Sequence, residues 1–177
     1  MSIENQPQQP SITKPQPVVD QQQLEMLKRQ KRDNQNLLLG ALGGLGGALA
    51  GAAIWAGITA VTDYQIGWMA VGVGFLVGLS VRKLGQGIDV SFGIVGAGLS
   101  LLGCVLGNLF VICTVLSRVQ GAPFFQVLFS MDSETMIRLM KVTFSPIDLL
   151  FYGIAVYEGF KVSIVRITEA DVAKFMK

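Results

Sequence analysis

Three long uncharged runs dominate the pattern of hydrophobic and polar positions. Leu37 to Val61 holds twenty-five residues without a charge, more than the ~20 that an apolar helix needs to cross a bilayer. Ile66 to Val81 is uncharged over sixteen residues. It reaches spanning length when Tyr64 and Trp68 sit at one interface and Arg82 and Lys83 extend to the other. Val90 to Leu116 gives twenty-seven, broken only by the polar side chains of Ser91, Ser100, Asn108 and Thr114. The pattern predicts transmembrane helices over about 37–61, 64–83 and 90–116.

A fourth apolar stretch is more ambiguous. Ser145-Pro146-Ile147-Asp148 begins it with Ser at the N-cap, Pro at the first helical position and an acid at the third. The following LLFYGIAVYEGFKVSIV carries Glu158 and Lys161. An acid at mid-span costs ~2.5–3.5 kcal/mol on insertion scales, so hydropathy leaves this segment open. The basic residues decide it. With four spans and a cytoplasmic N-terminus, eleven Lys/Arg lie inside and three outside, whereas three spans give seven and seven. The positive-inside rule therefore prefers a fourth span over 145–163, with N- and C-termini both cytoplasmic.

The flanks read differently. Residues 1–19 are rich in Gln and Pro and have too little apolar surface to offset their ordering entropy, so a disordered tail is expected. Residues 20–36 form a basic cytoplasmic helix, with Asp20 as its N-cap and Lys28, Arg29, Lys31 and Arg32 as a topogenic flank. The external loop 118–144 is predicted to hold two short amphipathic interfacial helices, one begun at Pro123 and one capped by Asp132. Residues 166–177 form a cytoplasmic tail behind a membrane domain spanning 37–165.

Composition agrees and narrows the function classes. Hydrophobic types make up 51% of 177 residues and charged types 15%, well below the quarter usual in soluble domains. There is no His, which excludes histidine-based catalysis and His-ligated metal. Cys104 and Cys113, nine residues apart on one helix, cannot bridge each other within it and match no metal motif. A net charge of +2 gives no basic surface for nucleic acid. No nucleotide-binding, zinc-protease or hydrolase motif occurs, so neither a cofactor nor a metal is expected.

The twenty-one glycines are concentrated, with eighteen between Gly40 and Gly107. At 100° per residue, Gly40, Gly44, Gly47 and Gly51 share one helix face. So do Gly67, Gly74 and Gly78 in the second span, and Gly96, Gly103 and Gly107 in the third. Lipid supplies no hydrophobic force between helices, and close approach through small residues is a main route to their association. These seams predict a tight three-helix core, within one chain or between chains. The fold class expected is an all-α integral membrane bundle of four transmembrane helices with glycine-seam packing.

Ionisable groups inside spans are functional candidates by default. Glu158 leads, and is expected to form a structural ion pair with Lys161 one turn on, or with Arg82 or Lys83, a proton or ion relay being the second reading. Asp148 is expected to cap its helix at the positive end of the dipole. Asn108 is expected to hydrogen-bond a neighbouring helix, with pore lining as its alternative. Arg82, with Lys83, Gln86 and Asp89, reads as an interfacial turn.

The segments GWMAVGVGFLVGLSVRKLGQG and SPIDLLFYGIAVYEGFKVS resemble a family of small, uncharacterised bacterial inner-membrane proteins, over roughly residues 37–165. The resemblance implies a multi-pass protein of the bacterial plasma membrane and brings no activity or catalytic residues. The function expected is therefore non-enzymatic: a scaffold or subunit of a membrane assembly, partnered by lipid and by itself or another membrane protein. The alternative is a small oligomeric channel or transporter using Glu158 or Asn108.

Overall fold

The computed structural model describes residues 21–64, 67–168 and 171–172. The tail expected to be disordered over 1–19, the Asp20 cap and most of the 166–177 tail lie outside the described residues. Among them all regular structure is helical: α1 (Gln21–Asp33), α2 (Leu37–Thr62), α3 (Trp68–Gly85), α4 (Val90–Gln120), α5 (Phe124–Ser130), α6 (Ser133–Thr143) and α7 (Pro146–Ser163).

The helix limits follow local chemistry. The Asn36 side chain accepts from the Leu39 amide at 3.0 Å to begin α2. Asp63 and Gln86 end α2 and α3 in the left-handed conformation, at φ 57° and 49°, a common helix stop. Asp132 caps α6 by accepting from the Thr135 amide at 2.9 Å. Asp148 caps α7, its carboxylate accepting from the Ser145 amide at 2.8 Å.

The helices α2, α3, α4 and α7 form an up-down-up-down bundle. Helices α3 and α4 pack together, α2 lies against both, and α7 lies against both without touching α2. At one end, Asn36 N–H donates to the Gly85 carbonyl at 3.0 Å and Val165 N–H to the Gly87 carbonyl at 2.8 Å. That end gathers α1, the α3–α4 turn and the exit of α7. At the opposite end, Arg118 pairs with Asp63, and the rings of Trp68 and Phe151 lie 5.5 Å apart. Helix α7 thus runs parallel to α3 over the same height, each helix having eighteen residues.

Side-chain size is sorted inside out relative to a water-soluble bundle. Gly, Ala, Ser and Val fill the interior, with Ala48, Ala52, Ala70, Val77, Ser100 and Ala155 fully buried. Leu38, Phe75 and Ile94 face outward at 69%, 50% and 64% exposure. Contiguous apolar surface of this kind belongs to a chain surrounded by lipid. Helices α2, α3 and α4 are each long and apolar enough to cross a membrane. Helix α7 qualifies only together with α6, from which it is bent by 99°, because Asp148, Glu158 and Lys161 lower its own apolarity.

Several glycines of the α2, α3 and α4 faces lie close to a neighbouring helix. A Cβ on Gly40 would come 3.2 Å from Phe92, on Gly44 2.6 Å from Leu99 and Val81, on Gly47 3.2 Å from the Val77 Cα, and on Gly51 3.2 Å from Val73. On Gly103 it would meet Val73 at 2.7 Å, and on Gly107 the Trp55 indole at 2.5 Å. The remaining seam positions face a helix that the three-helix expectation left out. Gly67 meets Phe151, Gly74 meets Ala155, Gly78 meets Val162 and Gly96 meets Ser163. Helix α7 thus joins α2, α3 and α4 in the bundle, next to glycines of α3 and α4.

Candidate functional site

The polar groups within the bundle sit mainly where α7 meets α4. The buried stripe of α7 is Tyr152, Ala155, Gly159 and Ser163, spaced three or four apart as one helical face requires. The Tyr152 hydroxyl donates to the Cys104 carbonyl at 3.2 Å and is hydrogen-bonded to Asn108. Asn108 is 2% exposed, so the interhelical bond satisfies an amide that would otherwise be costly in lipid. Higher along the seam, Ser100 Oγ donates to the Gly96 carbonyl at 2.7 Å and Ser163 Oγ to the Gly159 carbonyl at 2.6 Å. Each serine satisfies its hydroxyl within its own helix while packing onto the other helix's glycine, Ser100 on Gly159 and Ser163 on Gly96.

Beside Asn108 and Tyr152 lies an open cavity of about 310 Å³, bounded by Ile137, Met140 and Lys141 of α6 and by Phe144. Phe144 closes edge-on to Tyr152 at 5.8 Å. Lys141 is exposed, so the cavity is apolar with one amide, one phenol and an ammonium group at its rim.

Glu158 lies elsewhere. Ala155 sits at Gly74 and Gly159 at Gly78, which places Glu158 level with the middle of α3. It is half-buried on the flank of α7. Lys161 forms no ion pair with it among the described residues; the Lys161 ammonium lies 5.3 Å from the centroid of the Tyr157 ring instead. Arg82 is exposed and does not reach Glu158 either. Side chains on a helix lean toward its N-terminus, so Lys161 had both Glu158 and Tyr157 within reach, and it takes the aromatic face. The structure brings Asn108 to Tyr152, puts Asp148 at a helix cap and leaves Glu158 and Asn108 in separate places.

Among the described residues no cluster of His, Cys, Asp or Glu could hold a metal ion. Cys104 and Cys113 are free thiols, both fully buried. Nothing among these groups pairs a nucleophile with a base. At the α1 end, Asp89 accepts from Arg32 at 3.2 Å and from the Gln35 amide, and Gln35 Oε1 accepts from the Ile88 amide at 3.2 Å. Gln35 thereby ties the start of α2 to the α3–α4 turn.

Sequence reasoning passed over Tyr152, Ser163, Gly43, Gly93 and Gly159, and noted Ser100 only as a polar interruption. The spacings Gly96-x-x-x-Ser100 and Gly159-x-x-x-Ser163 are small-residue pairs that could have flagged the α4–α7 contact. Comparison with known protein-family models, curated proteins and solved structures gives no match.

Proposed function

We propose that this chain is a non-enzymatic integral protein of a bacterial inner membrane, crossing it four times, with both termini cytoplasmic and acting as a subunit or scaffold of a membrane assembly. Helix α7 supports the fourth crossing, since it runs beside α3 over the same height. The α1 end carries Lys28, Arg29, Lys31, Arg32, Arg82, Lys83 and Arg166, and the other end Arg118, Arg138 and Lys141, a bias that favours the α1 end as cytoplasmic. The glycine contacts hold the four helices together in lipid.

The observation that carries the assembly reading is Glu158. A carboxylate at mid-height of a bundle, without an ion-pair partner among the described residues, is expensive in lipid. A basic or hydrogen-bonding group on an adjoining chain lowers that cost. Purification in mild detergent tests this: a homo-oligomer or a co-purifying membrane protein is expected, and a solitary monomer would count against it.

The second reading is a small oligomeric channel or transporter, in which neighbouring copies gather Glu158 around a pathway. Asn108 takes no part in that version, being buried against Tyr152 inside one chain. Equal flux in proteoliposomes for wild type and Glu158→Gln would remove the acid from any transport mechanism.

A further inference from the structure

We infer that the groove between α2 and α3 seats one acyl chain of an anionic phospholipid, with the lipid phosphate at the Lys83 ammonium. The groove, about 560 Å³, runs along the outer surface between Leu42, Gly46 and Ala50 of α2 and Leu76 and Leu84 of α3, with Lys83 at one end. Its floor is backbone: a Cβ on Gly43 would fall 3.0 Å from the Ser80 carbonyl oxygen, so the two helices touch beneath it. Gly46 has nothing within 4 Å of a built Cβ, which leaves the channel open where a larger residue would fill it.

Length and charge select the occupant. From Leu39 to Ala50 the groove covers twelve residues of α2, or ~16 Å of helix rise. Half of a ~30 Å hydrocarbon core is ~15 Å, so the groove is one leaflet deep, as an acyl chain is and a crossing helix is not. Lys83 stands at the end where a head group would lie. It forms no ion pair among the described residues, and its neighbour Arg82 is likewise an exposed cation. The nearby acid, Asp89, is already engaged by Arg32 and Gln35. An anionic head group complements this end, and the leaflet beside a protein's basic face is the one richer in anionic lipid. The seat presupposes a chain embedded in a membrane but is independent of any assembly around Glu158.

Native mass spectrometry of the full chain, titrated with phosphatidylglycerol or phosphatidylcholine, tests the seat. Wild type is expected to retain one phosphatidylglycerol in preference to phosphatidylcholine. Lys83→Gln should weaken phosphatidylglycerol about fivefold, the contribution of one lysine near anionic lipid, and leave phosphatidylcholine unchanged. Gly46→Leu should weaken both, and Gly57→Leu, equally open but outside the groove, neither. Equal retention of the two lipids, or no loss in Gly46→Leu, overturns the inference. So does a photo-cross-linker at position 46 that captures a second protein chain rather than lipid. A solitary monomer with lipid preference intact would sink the assembly reading alone.

Discussion

Gly74 of α3 rests on the backbone of Ala155 in α7, with a built Cβ only 2.7 Å from the Ala155 Cα. No rotamer change relieves a contact with backbone, so a side chain at 74 must push the helices apart. Gly72, two residues earlier, faces open space. Gly74→Ala is expected to lower stability in detergent by ~1–3 kcal/mol, the usual range for overpacking. Gly72→Ala should be neutral or stabilising by up to ~1 kcal/mol through helix propensity. Thermal unfolding of the two variants, read by circular dichroism, should shift in opposite directions or by very different amounts. Equal shifts would mean that α3 and α7 do not meet here.

Topology gives a second expectation. In a background lacking Cys104 and Cys113, single cysteines at Asn34, Gln86 and Arg166 should react with an impermeant maleimide from the cytoplasmic side. Cysteines at Thr62 and Ser133 should react from the other side. Arg166 labelled from the same side as Ser133 would show that α7 turns back instead of crossing. The native thiols are fully buried and should stay unlabelled until the bundle is denatured.

A third expectation concerns the arm formed by α6. Hydrogen bonds from Thr135 hold the Asp132 carboxyl below its ordinary value of 3.8. A depressed folded value means that the cap stabilises α6 fully above the unfolded value and is lost as pH falls through the folded one. Hydrogen exchange at the Thr135 amide should therefore accelerate, after correction for intrinsic rates, as pH drops below about 3.8. Asn is also a good cap, so Asp132→Asn should show protection without that pH dependence. An unchanged pH profile in the variant would place the titration elsewhere.

Much of the fold was legible in the sequence because its signals are local. Helical periodicity marked out α2, α3 and α4, and Ser145 to Asp148 and Asp132 announced their helix starts. The partners of those faces were not legible, since α3 could offer Gly74 and Gly78 to any neighbour. Gly159 escaped notice because Glu158 and Lys161 drew attention to charge on a helix whose inner face is small and neutral. Gln35 and Asp89 meet across fifty-four residues, a relation no local pattern contains. For Glu158, spacing suggested Lys161 as partner, yet a lysine has several rotamers within reach and Tyr157 lies one position further back. The polar site at Asn108 was half visible: its need for an interhelical bond follows from its polarity, while the choice of Tyr152 follows from the packing of α4 against α7.

In the proposed assembly the α7 face beside Glu158 adjoins another protein chain. Replacing Tyr157, 59% exposed, with a photo-reactive benzoylphenylalanine and irradiating intact membranes tests it most directly. Ile54, 52% exposed on α2, on the far side of the α3–α4 pair, serves as the comparison. A discrete protein adduct is expected at 157, weakening in Glu158→Gln, with lipid adducts at 54. Lipid adducts alone at 157 would contradict it.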